Sequence, residues 1–270
     1  MRGISRTSIA EVEARLETLT RAPAAAADLG NELFAVAGVL AGQPALRRAL
    51  GDASRPDTAR GALARSVFAG KVSDDALRVV EAVVRARWSA AGDLTGAVEQ
   101  LAVQSIVAAA EADDHLDELE DELFRFGRIV ASTPELRIAL TNPFASAQAK
   151  WDLLSGLLAH RVTPESLRLI TEAAVSQLGR SLDVSLEQYA RLAAQRRERL
   201  IAEVRVTVPL TDQQRVALAS ALATGYGHQV HLNVVIDPKV AGGMTVRVGD
   251  DLIDGSVATR LAVARRGLVA

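Results

Sequence analysis

The sequence predicts a mainly α protein with a small α/β C-terminal domain: a duplicated helical bundle domain followed by a small mixed α/β unit. Three observations lead to this prediction. Alanine and leucine dominate a composition with 49% apolar and only 3% aromatic residues, and both residues favour packed helices over sheets. A long segment recurs after 90 residues. Near Glu203 the helical spacing of apolar residues gives way to alternation, which is typical of strands.

The repeated segment covers much of the helical part of the chain. The stretch NELFAVAGVLAGQPALRRAL begins at Asn31, and DELFRFGRIVASTPELRIAL begins at Asp121, so the offset is 90 residues. Matching residues keep this register through Pro44 and Pro134 and into the loops beyond. Chance similarity between two alanine-rich helices would not readily hold the register across prolines and loops. The sequence therefore predicts an internal duplication.

The first copy is predicted to be less regular at its start than the second. Its stretch ARLETLTRAPAAAADLG contains Pro23 and ends at Gly30. Proline and glycine both interrupt helices, so the opening helix of this copy is expected to be broken. The predicted domains are the first helical repeat at 1–95, which is the additional copy, the second helical repeat at 96–200, and the C-terminal α/β domain at 201–270.

The second copy carries clear signals for helix starts. Pro134 follows a Ser-Thr pair and precedes a glutamate, and the same Thr-Pro-Glu pattern recurs at Thr163. Both patterns are typical of a first helical turn. Further helices are expected after Asn142-Pro143 and over roughly 182–200. The connections are short, so neighbouring helices should pack antiparallel in a bundle.

The C-terminal domain is predicted to mix strands and helices. EVRVTVPL at 203–210 alternates as a strand does. The next stretch is helical, with Thr211 as its cap and Gly225 or Gly227 at its end. The remaining predicted elements are, in order, a strand in HQVHLNVVIDP, two short strands at Met244–Val248 and Asp251–Ile253, and a helix capped by Ser256.

Composition excludes several classes of function. The chain has no cysteine, which rules out disulfides, thiolate nucleophiles and cysteine-ligated metals. Its formal charge is −2, whereas nucleic-acid binding favours a strongly basic face, so no nucleic-acid partner is expected. We find no apolar run of about 18 residues and no signal peptide, and therefore expect no direct membrane span.

The glycine- and aspartate-rich stretch VAGGMTVRVGDDLIDGSVATRL at 240–261 is the strongest candidate for a ligand site. A phosphate loop would open directly into a helix and normally carry a lysine, but Gly242-Gly243 opens into a strand pattern. A calcium loop would end in a glutamate, which is absent here. We interpret Gly249-Asp250 as a hairpin turn, and Asp254-Gly255-Ser256 as a turn and helix cap. No cofactor and no metal are expected.

Other polar groups give no catalytic set. His228 and His231 lie three apart in a strand pattern, so they should point to opposite faces, too far apart for one ion. The acidic run at 111–122 is typical of the solvated face of an amphipathic helix, with leucines inward. This run and the basic run at 196–199 remain possible docking surfaces. Trp88 and Trp151 are interpreted as core or interface anchors. No nucleophile–base pair can be assembled, so no enzymatic activity is expected.

The C-terminal stretch resembles the C-terminal domain of the delta subunit of bacterial F-type ATP synthases, whose mitochondrial relative is the oligomycin-sensitivity-conferring protein. The match keeps its spacing over about fifty residues, and Ile236 replaces a common valine. The matching positions are Leu210, Thr211, Gln214, Leu218, Leu222, Val230, Leu232, Asp237, Pro238, Gly242, Gly243, Val246, Gly249, Asp250, Ile253, Asp254, Gly255, Ser256, Val257, Arg260 and Leu261.

The second helical copy resembles the N-terminal domain of the same family, although its first helix lacks the tyrosine that often precedes the alanines there. Usual members have one such domain, and a long chain with an extra helical unit is similar to the actinobacterial form. The resemblance implies a non-catalytic stator at the cytoplasmic face of the cell membrane. It would bind N-terminal segments of the alpha subunits and a b-type peripheral stalk subunit, so that proton-driven rotation yields ATP.

The resemblance also implies a partner groove. In the family, an alpha-subunit segment lies as an amphipathic helix between the first and fifth helices of the helical domain. Carried onto this chain, the groove is expected to be lined by apolar residues of the second copy, which are Val103, Ile106, Val107, Ala110, Leu167, Ile170 and Ala174. Core burial is the alternative for each of them. The alternative function is a free-standing helical protein–protein adaptor.

Overall fold

A computed structural model describes the parts of the chain that carry the predicted elements. The described residues are 4–20, 23–176, 180–199, 201–226, 230–237, 242–249 and 251–254. They contain twelve helices and a four-stranded sheet. The chain divides into two compact units, Met1–Ala193 and Ala194–Ala270. The prediction of a mainly α protein with a small α/β C-terminal part is confirmed.

Eleven helices precede the first strand in the described residues. Most begin at a proline or just after a serine or threonine, as the start signals in the sequence predict. In chain order they are α1 (Ile4–Leu19), α2 (Pro23–Gly42), α3 (Pro44–Gly51), α4 (Asp57–Phe68), α5 (Asp74–Arg85), α6 (Ala91–Ala112), α7 (Leu116–Ser132), α8 (Pro134–Thr141), α9 (Ala147–Leu158), α10 (Pro164–Val175) and α11 (Leu182–Arg199).

The offset of 90 residues relates whole helices. The starts of α3, α4 and α5 lie 90 residues before those of α8, α9 and α10. The same shift carries α1 onto α6 and α6 onto α11, so α6 ends the first repeat and begins the second. The predicted boundary between residues 95 and 96 lies inside this shared helix. That division into domains stays a prediction.

A hydrogen-bonded tie recurs in both repeats at equivalent positions. In the first repeat, Ser73 donates from its N–H (3.0 Å) and its hydroxyl (2.5 Å) to the carboxylate of Glu32. In the second, Thr163 donates both groups to Glu122, each at 3.0 Å. Ser73 and Thr163 also cap the N-termini of α5 and α10. Each tie therefore fastens the second helix of its repeat to the start of the fifth.

The predicted break in the opening helix of the first copy is confirmed at Pro23, since α1 ends at Leu19 and α2 begins at Pro23. Gly30 does not interrupt a helix, because α2 runs through it to Gly42. The helix predicted after Asn142-Pro143 is also present and starts at Ala147. Asn142 Oδ1 accepts a hydrogen bond from the N–H of Phe144 at 2.9 Å, which makes a turn before the helix. Ser146 then caps α9 by accepting from the N–H of Ala149.

The apolar helix α2 has the length and composition of a membrane-spanning segment over Ala24–Gly42. Nearly half of this window, 44%, is buried inside the protein. Its buried residues include Leu29, Leu33 and Leu40, which belong to the core of the helical unit. The core helix of a soluble protein passes the same test of length and composition, and so does a signal sequence near an N-terminus.

The C-terminal unit is built on a four-stranded sheet. Its elements are β1 (Ile201–Val206), α12 (Asp212–Tyr226), β2 (His231–Ile236), β3 (Met244–Val248) and β4 (Asp251–Asp254). The strand order is β2-β1-β3-β4, with β1 and β2 parallel and the other pairs antiparallel. A parallel pair needs a crossover, and α12 lies between β1 and β2 in the chain.

Most of the caps and turns predicted for this unit are present in the structure. Thr211 caps α12: its hydroxyl accepts from the N–H of Gln214, and Gln214 Oε1 accepts from the N–H of Thr211. Gly249, at φ 56°, joins β3 to β4 as the predicted hairpin turn. The strand predicted over 203–210 begins earlier and ends at Val206, because only the first part pairs with neighbouring strands. The predicted helix from Ser256 lies outside the described residues.

Candidate partner interface

The seven residues predicted to line a groove lie on α6 and α10. Leu167 is half-buried. The other six are buried in the core of the helical unit: Val103, Ile106, Val107, Ala110, Ile170 and Ala174. The buried residues on α6 lie on a helix that belongs to both repeats and contacts helices of each, including α2, α7 and α10. That they contact a partner stays a prediction.

One side of α6 is covered by α2. A Cβ placed on Gly30 of α2 would lie 2.6 Å from Ile106 Cδ1 and 3.1 Å from the carbonyl oxygen of Ala102. Small residues continue this contact, since Ala26 packs with Ala108 and Ala109 in one buried cluster. Gly30 therefore allows two backbones to approach closely, which is the physical reason why a glycine is tolerated within this helix.

The helix α2 also contacts α10 through Arg168. The guanidinium of Arg168 donates from Nε to Asn31 Oδ1 at 2.6 Å. It lies 4.6 Å from the centre of the Phe34 ring, a cation–π distance. Arg168 also pairs with Glu172 at 2.9 Å. The helix α2 therefore contacts α6 through small residues and α10 through Arg168.

A buried polar cluster joins α6 to α11. Glu99 on α6 accepts a hydrogen bond from the hydroxyl of Tyr189 at 2.6 Å and pairs with Arg180. Burial raises the pKa of the Tyr189 phenol, and the charge of Glu99 adds to the effect. Burial also raises the pKa of Glu172, although Arg168 opposes the shift. The cluster fixes α11, which leads toward the C-terminal unit.

The two repeats differ at the contact between their fourth and fifth helices. In the first repeat, Glu81 pairs with Arg65 at 2.6 Å and with Arg85 at 3.4 Å. The residues 90 positions later are Ser155, Thr171 and Val175. The hydroxyls of Ser155 and Thr171 are buried without a hydrogen-bond partner in the described part of the protein. The charges of the first repeat are thus replaced by neutral groups in the second.

Exposed apolar side chains are concentrated on the second repeat. Phe144 is 94% exposed and Ile138 is 69% exposed, whereas the first repeat exposes a single large apolar side chain, Val39, among its described residues. The full set on the second repeat is Phe124, Ile129, Ile138, Phe144, Trp151, Leu153, Leu157 and Val184. A surface of this kind is typical of a protein–protein interface.

Sequence reasoning found this surface only in part. Trp151 was interpreted as a core or interface anchor, and it is 49% exposed, while Trp88 is buried and donates to the carbonyl of Val83. Ile129 on α7 is exposed. The available signal was the alignment of the repeats, in which Trp151 stands at the position of Gly61 and Phe144 at that of Ser54.

The remaining candidate ligands give no constellation. In the described part of the chain, no group of three or more His, Asp or Glu side chains is placed to hold a metal ion. The leucines under the acidic run, Leu116, Leu119 and Leu123, are buried as predicted. His231 begins β2, and His228 lies outside the described residues. The feature that remains is the exposed apolar surface of the second repeat, which suits binding to other proteins.

Comparisons with known proteins agree with this character. Residues 98–268 match the family model described as ATP synthase delta (OSCP) subunit. The ATP synthase subunit delta of Thermobifida fusca is 45% identical over 268 residues, covering 99% of both chains. That of Streptomyces avermitilis is 45% identical over 265 residues, covering 98% of this chain and 97% of its own.

A solved structure, the Toxoplasma gondii mitochondrial ATP synthase hexamer, contains a chain that is similar at 22% identity. The match covers 62% of this chain and 95% of that one, with a TM-score of 0.32. This superposition is too weak to support any statement about the fold. The similarity to the bacterial relatives, by contrast, extends over nearly the whole length of each chain.

Proposed function

Because this chain belongs to the ATP synthase delta (OSCP) subunit family, we propose that it is a stator subunit of an F-type proton-translocating ATP synthase. It is part of that membrane-associated complex. In the proposed role it links the catalytic head to the peripheral stalk, so that proton-driven rotation yields ATP. The observation that carries the proposal is the near full-length similarity to delta subunits.

We propose that the two compact units divide the binding. The helical unit, Met1–Ala193, binds N-terminal segments of the alpha subunits, and the unit Ala194–Ala270 binds the b-type stalk subunit. Two separately packed units suit a linker between two partners. The exposed apolar side chains of the second repeat support protein binding by the helical unit.

The proposed subunit performs no bond chemistry and needs no cofactor; its work is to resist torque. Helices locked by buried contacts, such as α2 against α6, suit a part that must transmit force without yielding. Its proposed location is the cytoplasmic face of the cell membrane, where it would be held peripherally by the other subunits.

The predicted groove residues stay a candidate binding site for the alpha segment, and binding there would require α2 to move. A guest helix could reach Ile106 only if α2 moved away, because Gly30 of α2 lies against this buried side chain. The contacts of Gly30 and Arg168 oppose that movement.

Co-purification tests the proposal. A tagged full chain, recovered from gently solubilised membranes of its host, should bring down the alpha subunits and the b-type stalk subunit in fixed ratio. A chain truncated after residue 200 should keep alpha and lose the stalk subunit. Unchanged stalk binding by the truncated chain would assign that role to the helical unit instead.

The alternative function, a free-standing helical adaptor, predicts a different result. In that case the tagged chain would recover partners unrelated to the synthase, and its removal would leave ATP synthesis by membrane vesicles unchanged. Loss of proton-driven ATP synthesis on removal, restored by adding back the purified chain, supports the stator role.

A further inference from the structure

We propose that α7 carries a binding site for an arginine of a partner helix, formed by Asp121 and Phe124. Gly127 and Arg128 continue the same side of the helix one turn further, and we call these four residues the α7 face. The inference rests on the proposed function only for the presence of a neighbouring subunit. The place and the chemistry of binding are inferred from the first repeat.

The first repeat contains an occupied site of this kind. Arg168 of α10 donates from Nε to Asn31 Oδ1 at 2.6 Å, and its guanidinium carbon lies 4.6 Å from the centre of the Phe34 ring. Glu172 pairs with the same guanidinium at 2.9 Å. Beneath this contact Phe34 is only 2% exposed. An amide acceptor and an aromatic ring, three residues apart on α2, thus hold an arginine that comes from another helix.

The second repeat has the same two positions on its own second helix. Asp121 and Phe124 stand 90 residues after Asn31 and Phe34. The tie from the second helix to the start of the fifth is also the same in both repeats, so the two pairs lie on equivalent backbones. Phe124, however, is 62% exposed, and Asp121 is exposed as well. The residues that hold an arginine in the first repeat therefore face solvent in the second.

Asp121 is a stronger acceptor for an arginine than Asn31, because hydrogen bonds to a charged oxygen are shorter and stronger than those to a neutral amide. Arg125, one turn along α7, already pairs with Asp121. The Arg125 side chain is 67% exposed and that of Asp121 is 59% exposed, and exposed pairs of this spacing contribute little to stability. A carboxylate also accepts at both of its oxygens. Asp121 can therefore bind an incoming arginine in spite of this pair.

The α7 face also indicates what else the partner helix carries. In α10, the glutamate that pairs with Arg168 is Glu172, four residues later on the same helix. Arg128 lies one turn beyond Phe124 and is exposed, so it complements such a glutamate on a partner. The occupant we infer is an amphipathic helix of another subunit, with an arginine followed four residues later by a glutamate.

A second copy of this chain fits the α7 face less well. The counterpart of Arg168 in the first repeat is Arg78, which pairs with Asp75 on its own helix. The residue four positions after Arg78 is Ala82, so no glutamate accompanies the arginine there. A different subunit is therefore the proposed occupant, and binding to a second copy is one outcome of the test.

Two peptides test the chemistry on the full chain. The first copies residues 163–176, which comprise α10 and its cap, and the second is the same peptide with Arg168→Lys. Lysine keeps the charge but lacks the planar guanidinium that stacks on a ring and makes two hydrogen bonds at once. By calorimetry the arginine peptide should bind more tightly, by about three-fold or more. Equal affinities, or no binding of either peptide, would overturn the arginine site.

Variants of α7 locate the site. Phe124→Leu removes the ring but keeps an apolar side chain, and Asp121→Ala removes the acceptor. Each should weaken binding of the arginine peptide by about three-fold or more, with unchanged circular dichroism. Phe144→Leu, at another exposed ring, is the matched control and should leave the affinity unchanged. Unchanged binding by Phe124→Leu or Asp121→Ala, or an equal loss in Phe144→Leu, would overturn the site.

A third variant tests the competing cation. Arg125→Ala removes the arginine that pairs with Asp121, so the arginine peptide should bind equally well or more tightly. Weaker binding would show that Arg125, rather than Asp121, contacts the peptide and would overturn the proposed acceptor.

Cross-linking identifies the partner in the assembled complex. A photoreactive benzophenone side chain is placed at Gly127, where a Cβ meets nothing within 4 Å, and the linked peptides are mapped by mass spectrometry. The link should join Gly127 to a helix of another subunit that has the inferred arginine and glutamate. A link to a second copy, to a segment without this pattern, or no link would overturn the proposed partner. Failure of the full chain to co-purify with alpha would instead overturn the proposed function and leave the peptide result standing.

Discussion

The two helical repeats share a backbone plan but present different surfaces. Phe34 in the first repeat is 2% exposed and lies beneath Arg168, while its counterpart Phe124 is 62% exposed. The ties of Glu32 to Ser73 and of Glu122 to Thr163 are the same in both. Local helix signals therefore determine where the helices begin and end in both repeats, whereas contacts with neighbouring helices determine which helix faces are buried.

The shared helix α6 explains the asymmetry. The first repeat ends on α6, and α2 packs closely along it through Gly30. The residue at the position of Gly30 in the second repeat is Glu120, which cannot allow the same approach. The second helix of the first repeat is therefore buried against α6. The second repeat leaves several apolar side chains exposed.

The largest effect on stability is expected from placing a bulky side chain in the α2–α6 contact. Gly30→Leu would force a side chain into Ile106 and should lower the free energy of unfolding by about 1–3 kcal/mol, as overpacked cores do. Denaturant unfolding followed by circular dichroism measures it. Gly38→Leu is the control: a Cβ on Gly38 meets nothing within 4 Å, and leucine favours helix more than glycine. Equal destabilisation by both would show that the loss of stability does not come from the α2–α6 contact.

A smaller effect on stability is expected from the hydrogen-bonded tie that both repeats share. Glu122→Ala and Glu32→Ala each remove a carboxylate that accepts two hydrogen bonds at the start of α10 or α5. Each should cost about 1–2 kcal/mol, the usual range for hydrogen bonds to a charged group on a partly exposed site. Thermal or denaturant unfolding measures both. A cost confined to one variant would mean that the tie is shared in geometry but not in energy.

The smallest effect concerns Glu172, whose counterpart in the first repeat is Ala82. Burial raises the pKa of Glu172 above its ordinary value of 4.5, so the folded chain binds this proton more tightly than the unfolded chain. Its contribution to stability is fully present below pH 4.5 and is lost as the pH rises through the folded-state pKa. Glu172→Gln removes that loss.

The stability of Glu172→Gln relative to wild type should therefore improve as the pH rises above 4.5 and through the raised pKa of Glu172. Denaturant unfolding at a series of pH values measures the difference, and the value at the lowest pH is the internal reference. A difference that stays constant with pH would show that the ion pair of Glu172 with Arg168 balances the cost of burial, and a relative stability that falls as the pH rises would show that the ion pair outweighs it.

The sequence by itself determined the elements and the family. The Thr-Pro-Glu start at Thr163 and the capping pair of Thr211 and Gln214 predict helix starts that the structure contains. The register through Pro44 and Pro134 predicts the duplication. These features succeed because caps, turns and periodicity act over three or four neighbouring residues.

Only the tertiary structure decided which faces are covered. Glycine is typical of a helix end, yet α2 continues through Gly30. At this position α6 approaches so closely that only a residue without a side chain fits. The family resemblance places Val103 and Ile106 at a partner groove, with core burial as the alternative, and both are buried. Ile129 follows the helical spacing of apolar residues and is nevertheless exposed. The physical reason is that burial depends on contacts between residues distant in the chain. Periodicity shows that a helix has an apolar face, and only packing shows what lies against it.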